Sequence, residues 1–105
     1  AYKVLKRGKN NSHPSPTDTI EIDYSGWTRD GKLFDSSVLR GERARFPLKQ
    51  LILGWQEGVP LMSPGDTFRF WIPGRLAYDG SNDPSRPSGM LVFDVTLHGF
   101  GPSQP

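Results

Sequence analysis

The sequence predicts an α+β domain: an antiparallel β-sheet with one short α-helix covering one face. Three observations carry this. Several short segments alternate apolar and polar residues with period two, the pattern of half-buried strands. Only one segment places apolar residues at helical spacing. Glycine and proline contribute 12 and 10 of the 105 residues, which suits strands joined by turns better than a helical bundle. The length fits one domain with one modest core.

Residues 2–6 read as a first strand. Residues 7–17, rich in Asn, Ser and Pro, read as a surface loop with little to pack. Residues 19–25 alternate cleanly, with Ile20, Ile22 and Tyr24 on one face. Asp30-Gly31 signals a hairpin turn, and a strand over residues 32–35 follows it. Residues 38–45 read as a loop or bulge, after which Phe46-Pro47-Leu48 returns to the core. Trp55, Val59 and Met62 form the helical stripe. Pro60 lies within it and deletes one intrahelical hydrogen bond, so a helix of two turns or fewer is expected, with a kink there. Ser63-Pro64-Gly65-Asp66 is a turn. Residues 67–72 are the clearest strand, with Phe68, Phe70 and Ile72 on one face, and Pro73 stops it. Residues 79–89 form a long polar loop. Residues 90–97 close the domain, with Leu91, Phe93, Val95 and Leu97 pointing one way. The chain thus reads as one domain over residues 1–100. The end loosens from Gly99, leaving residues 101–105 as a free tail.

Composition removes several function classes. The 13 basic and 11 acidic residues are scattered, net +2, so no nucleic-acid partner is expected. No cysteine is present, which removes a disulfide scaffold, a thiolate nucleophile and Cys-ligated zinc. No apolar run approaches the roughly 18 residues of a membrane span. No leader pattern is legible, so a cytosolic chain or an excised mature domain is expected. His13 and His98 are the only histidines, and neither stands at metal-ligand spacing beside a carboxylate pair. Both read as satisfied or solvent-facing. There is no nucleophile elbow, phosphate loop or dinucleotide fingerprint. Residues 79–83 loosely resemble a calcium loop but lack its spacing and terminal Glu, so they read as a turn rich in Asp and Asn. No cofactor and no metal are expected.

What remains is aromatic. Tyr24, Phe34, Phe46, Trp55, Tyr78 and Phe93 come from six different segments. On composition, an ordinary aromatic core is the simpler reading. Trp55 lying between Gly54 and Gly58, and Tyr78 just before a polar loop, suit instead an apolar pocket with polar lips.

Four blocks in series then carry a resemblance. They are Tyr24-Ser25-Gly26 with Asp30-Gly31 and Phe34-Asp35-Ser36-Ser37; Gly54-Trp55 with Gly58-Val59, Met62 and Gly65; Ile72-Pro73 with Leu76-Ala77-Tyr78; and Leu91-Val92-Phe93-Asp94-Val95 with Leu97. Together they resemble the FKBP-type peptidyl-prolyl cis-trans isomerases over roughly residues 2–100. The stretch Phe46-Pro47-Leu48 with Gln50-Leu51-Ile52 is more similar to the bacterial macrophage-infectivity-potentiator branch. The resemblance implies a curved antiparallel sheet wrapped around one short helix, and catalysis of X-Pro cis/trans isomerisation without nucleophile, metal or cofactor.

Carried over by position, the resemblance makes Trp55 the floor under the prolyl ring and Tyr24, Phe34, Phe46 and Phe93 the walls. Leu51 and Ile52 line one side, with the Ile52 N–H donating to a substrate carbonyl. The Tyr78 hydroxyl is a second donor. Asp35 stands at the rim, oriented by Arg40 and Tyr24. The sequence departs from the family pattern at Ala44, Pro60 and Gly74-Arg75. It departs also in the loop after Tyr78, where Asp79-Gly80 stand in inverted order and Arg86-Pro87 replace an apolar pair.

The implied partners are X-Pro segments of unfolded or flexible proteins and macrolides of the tacrolimus or rapamycin type, with no nucleic acid or membrane. The isolated domain is expected to be a monomer. The resemblance leans slightly toward the periplasm over the cytoplasm. Two rival readings stay open: a proline-binding or chaperone module with little catalysis, motivated by the altered loop, and a structural domain whose aromatics are only core.

Overall fold

Strands β2 (Asp18–Thr28) and β6 (Leu91–Pro102) form the spine of the molecule, paired antiparallel along their full length. The computed structural model describes residues 1–81, 83 and 86–102. The alternating residues of both strands meet on one face. Ile20, Ile22 and Tyr24 of β2 are buried there, with Leu91, Phe93, Val95 and Leu97 of β6. Strand β5 (Thr67–Ile72) pairs with the other side of β6 and adds Phe68, Phe70 and Ile72, and β1 (Tyr2–Lys6) covers that edge. At the opposite edge β3 (Leu33–Ser36) and β4 (Ala44–Pro47) share β2, β3 pairing with residues 25–27 and β4 with residues 19–22. The result is one six-stranded antiparallel sheet, the expected α+β class.

Helix α2 (Leu53–Gly58) lies against the inner face of this sheet. Of the expected stripe only Trp55 lies in α2; Val59 falls in the 3₁₀ turn that follows and Met62 just beyond it, and all three join the core. Pro60 tightens the chain instead of kinking it. Residues Val59–Leu61 form a 3₁₀ turn, and the Met62 N–H closes onto the Val59 carbonyl at 2.9 Å. The helix approaches the sheet closely because it carries glycine there. A Cβ at Gly54 would lie 2.5 Å from Ile72 Cγ2, and one at Gly58 2.6 Å from Phe70 Cε1.

Three local expectations are corrected. Residues 38–45 are a loop only in part: residues 38–40 belong to a one-turn helix, α1 (Ser37–Arg40), residues 41–43 turn the chain, and residues 44–45 open β4. Ser36 caps α1, its Oγ accepting the Leu39 N–H at 3.3 Å, and Gly41 ends it in the left-handed conformation. A single turn carries no apolar stripe; Val38 and Leu39 are exposed. Second, β6 runs past Leu97 to Pro102, so Gly101 and Pro102 are not part of a loose tail. They pair with Thr19 and Asp18 beyond a bulge at His98. Residues 103–105 lie outside the described residues. Third, the 7–17 loop is tied down. The Gly8 N–H donates to Asp66 Oδ1 at 2.7 Å, His13 Nδ1 lies 2.9 Å from the Met62 carbonyl oxygen, and Pro14 is buried.

Candidate active site

The site grows from the register of β2. Tyr24 points inward and its ring meets the edge of Trp55, centroids 5.5 Å apart at 82°. Trp55 in turn stands edge-to-face with Phe93 of β6, at 5.1 Å and 89°. Phe34 of β3 meets Phe93 at 5.6 Å and 83°, and Phe46 of β4 tilts against Tyr24 at 6.3 Å. Such pairs favour this tilted geometry because a ring's positive edge meets a negative face. Gly26 lets two of these rings close up. A Cβ there would lie 2.7 Å from Phe93 Cε1 and 2.8 Å from Phe34 Cζ.

These rings surround a cavity of about 300 Å³. Trp55 and Phe93 lie deepest, 4% and 3% exposed. The other side is built by Leu51 and Ile52, which link the 3₁₀ turn Leu48–Gln50 to α2, and by Tyr78, just past the 3₁₀ turn Gly74–Leu76. Asp35 stands at its rim. Nine of the ten site residues expected from sequence therefore line one cavity. Arg40 does not; it reaches Asp35 and Tyr24 from outside. Gln50 and Arg86 line the cavity as well. Gln50 lies in a motif block but has no periodic signal of its own. Arg86 is brought there by a loop without regular pattern.

The cavity is poor in charge. The Tyr24 hydroxyl donates to Asp35 Oδ2 at 2.5 Å, while the Arg40 guanidinium donates to Asp35 Oδ1 and, at 3.1 Å, to the Tyr24 oxygen. Burial alone pushes the Asp35 carboxyl up, but hydrogen bonds from Tyr24 and Arg40 outweigh it and hold it below its usual value. Burial, then the hydrogen bond to Asp35, raises the Tyr24 hydroxyl. The trio is thus an ionised carboxylate held by a neutral phenol and a guanidinium. The Ile52 N–H and the Tyr78 hydroxyl have no acceptor among the described residues. Trp55 Nε1 is buried without a partner among the described residues.

Neither histidine lines the cavity. His13 meets the Met62 carbonyl, and His98 Nε2 lies 2.9 Å from Asp23 Oδ2. No group of three or more His, Asp or Glu among the described residues is placed to hold a metal. A larger groove, about 410 Å³, runs along Thr19, Glu21, Arg45 and residues 99–102, but among the described residues Phe100 is its single aromatic ring and Arg45 pairs with Glu21 at 3.5 Å.

Similarity to known proteins converges on the same identity. The family profile described as FKBP-type peptidyl-prolyl cis-trans isomerase matches residues 10–98. The chain is 48% identical over 97 residues to the FKBP-type peptidyl-prolyl cis-trans isomerase FkpA of Aeromonas hydrophila, covering 91% of this chain and 36% of that protein. It is 41% identical over 98 residues to the peptidyl-prolyl cis-trans isomerase Mip of Coxiella burnetii, covering 91% and 42%. The crystal structure of FkpA from Escherichia coli superimposes with a TM-score of 0.87 at 39% identity, over 96% of this chain and 47% of that one. The chain therefore spans well under half the length of these two curated relatives. From the profile match and these likenesses, the chain belongs to the FKBP-type peptidyl-prolyl cis-trans isomerase family, in the branch that includes Mip and FkpA.

Proposed function

We propose that this domain accelerates cis/trans isomerisation of X-Pro bonds in protein segments, using the cavity over Trp55. The observation that carries the proposal is the deep aromatic enclosure made by Trp55, Tyr24, Phe34, Phe46 and Phe93, with two donors at its side that have no acceptor among the described residues.

The barrier to the uncatalysed rotation is roughly 20 kcal/mol and comes from amide resonance. Twisting the C–N bond breaks that conjugation, and the amide loses part of its charge separation. A prolyl ring seated on the indole places the bond in a dry, apolar enclosure, which disfavours the polar planar amide more than the less polar twisted one. The Ile52 N–H and Tyr78 hydroxyl hold substrate carbonyls, so the rotating bond is gripped on one side and free on the other. Asp35 supplies a fixed negative edge near the bond. Arg40 is a positioning residue, keeping the Asp35 carboxylate and the Tyr24 ring in register. No proton is transferred and no covalent bond is made or broken.

The same enclosure takes the ring of a tacrolimus- or rapamycin-type macrolide, which then competes with X-Pro segments. The test is a Leu-Pro tetrapeptide isomerisation assay with and without tacrolimus. Acceleration suppressed by the macrolide supports the proposal; no acceleration by folded protein rejects it.

A further inference from the structure

We propose that Arg86 is a specificity-determining residue of this site, favouring X-Pro segments that carry a carboxylate side chain next to the proline; the inference rests on the isomerase reading above. Two charged side chains line the cavity among the described residues, Asp35 and Arg86. Asp35 is already engaged. Its two oxygens accept hydrogen bonds from Tyr24 and Arg40, so its charge is answered inside the protein.

Arg86 differs. Its guanidinium carbon lies 5.0 Å from the centroid of the Tyr78 ring, over a residue that forms the cavity wall. Its acidic neighbour Asp83 is 3.8 Å away, beyond hydrogen-bonding distance, and both side chains are about half exposed, 53% and 51%. A pair of that kind contributes little, and it leaves the guanidinium donors without a hydrogen-bonded partner among the described residues. The backbone beneath is pinned, since the Arg86 N–H donates to the Asp83 carbonyl at 3.1 Å. A guanidinium held over a ring face keeps N–H groups at its edge to donate. The cavity mouth therefore presents one oriented positive charge, and the residues flanking a bound proline must pass it. A Glu or Asp side chain gains a charge-assisted hydrogen bond, a Lys side chain is repelled, and Leu is indifferent to the charge.

The experiment measures kcat/KM on two sets of tetrapeptides, with Glu, Leu or Lys before proline in one set and after it in the other. The wild type is compared with Arg86→Gln, Arg86→Lys and Arg86→Glu, each checked for folding by thermal unfolding. The Glu-to-Lys ratio is expected to fall about three- to tenfold in Arg86→Gln in at least one set. It is expected to persist in Arg86→Lys and to invert in Arg86→Glu. The wild-type preference should fade at about 0.5 M salt. A ratio that ignores all three substitutions in both sets overturns the inference while leaving the isomerase reading intact, because the Leu peptides are still turned over. If wild type accelerates no peptide at all, the isomerase reading falls and this inference falls with it.

Discussion

Tyr24 and Asp35 stand on neighbouring strands and meet in a 2.5 Å hydrogen bond, the Tyr24 hydroxyl donating to Asp35 Oδ2. Arg40, from the one-turn helix that follows β3, closes the triangle by donating to both. The contact fixes one aromatic wall of the cavity and the charge at its rim in a single arrangement.

The first prediction concerns activity against pH. Tyr24 and Arg40 hold the Asp35 carboxyl below its usual range, and burial beside Asp35 raises Tyr24 above about 10. Asp35 is therefore ionised and Tyr24 neutral from about pH 5 to about pH 9. Across that range kcat/KM for a Leu-Pro peptide should be flat. A bell-shaped profile centred near neutrality would show a titrating acid or base that this account lacks.

The same lowered Asp35 carboxyl gives a stability prediction. A group whose pKa is lower folded than unfolded stabilises the fold fully above its unfolded value, about 3.9, and loses that effect as pH falls through the folded value. Urea unfolding should find wild type more stable than Asp35→Asn near pH 7, with the difference shrinking below about pH 4. A difference that stays constant down to about pH 2 contradicts the assignment.

How far the sequence was legible depended on whether an element left a repeating pattern. Phe68, Phe70 and Ile72, or Leu91 through Leu97, repeat with period two over enough residues to be read, and the Trp55–Val59–Met62 stripe marks the segment that α2 and the 3₁₀ turn after it share. Helix α1 is one turn long and held by its caps, Ser36 and Gly41, so nothing in it repeats. The last stretch of β6 contains Gly99, Gly101 and Pro102, residues with poor strand propensity; the pairing with residues 18–21 makes it a strand. In the site, the aromatic walls were legible because their motif blocks are ordered along the chain. Gln50 and Arg86 were not marked as lining, since their place depends on how loops fold back.

Tyr78→Phe separates binding from packing. The Tyr78 hydroxyl has no acceptor among the described residues, so its removal strands none of them. Unfolding free energy should change by less than about 0.5 kcal/mol. Calorimetric affinity for a macrolide or proline peptide should weaken by about 0.5–1.5 kcal/mol, the net value of one hydrogen bond. Destabilisation by about 1–3 kcal/mol with unchanged affinity would mean a core hydroxyl instead.

Gly26→Ala tests the close approach of two walls. The added methyl meets Phe93 and Phe34 at 2.7 and 2.8 Å, so both rings must move. The expected outcome is a loss of about 1–3 kcal/mol in stability from overpacking, with weakened ligand affinity. Unchanged affinity and stability would show that the rings have room the structure does not give them.

The central claim is that the cavity lowers a rotational barrier and does more than bind proline. NMR exchange spectroscopy on a Leu-Pro peptide at equilibrium, with protein at about one-hundredth of its concentration, tests this most directly. The account predicts that exchange speeds up in both directions by the same factor, that the cis:trans ratio stays as in free peptide, and that EDTA changes nothing. Tacrolimus or Trp55→Leu should suppress the acceleration. Exchange left at the uncatalysed rate, with a cis:trans ratio that shifts only as stoichiometric protein is added, would contradict the account and mark the domain as a proline-binding module.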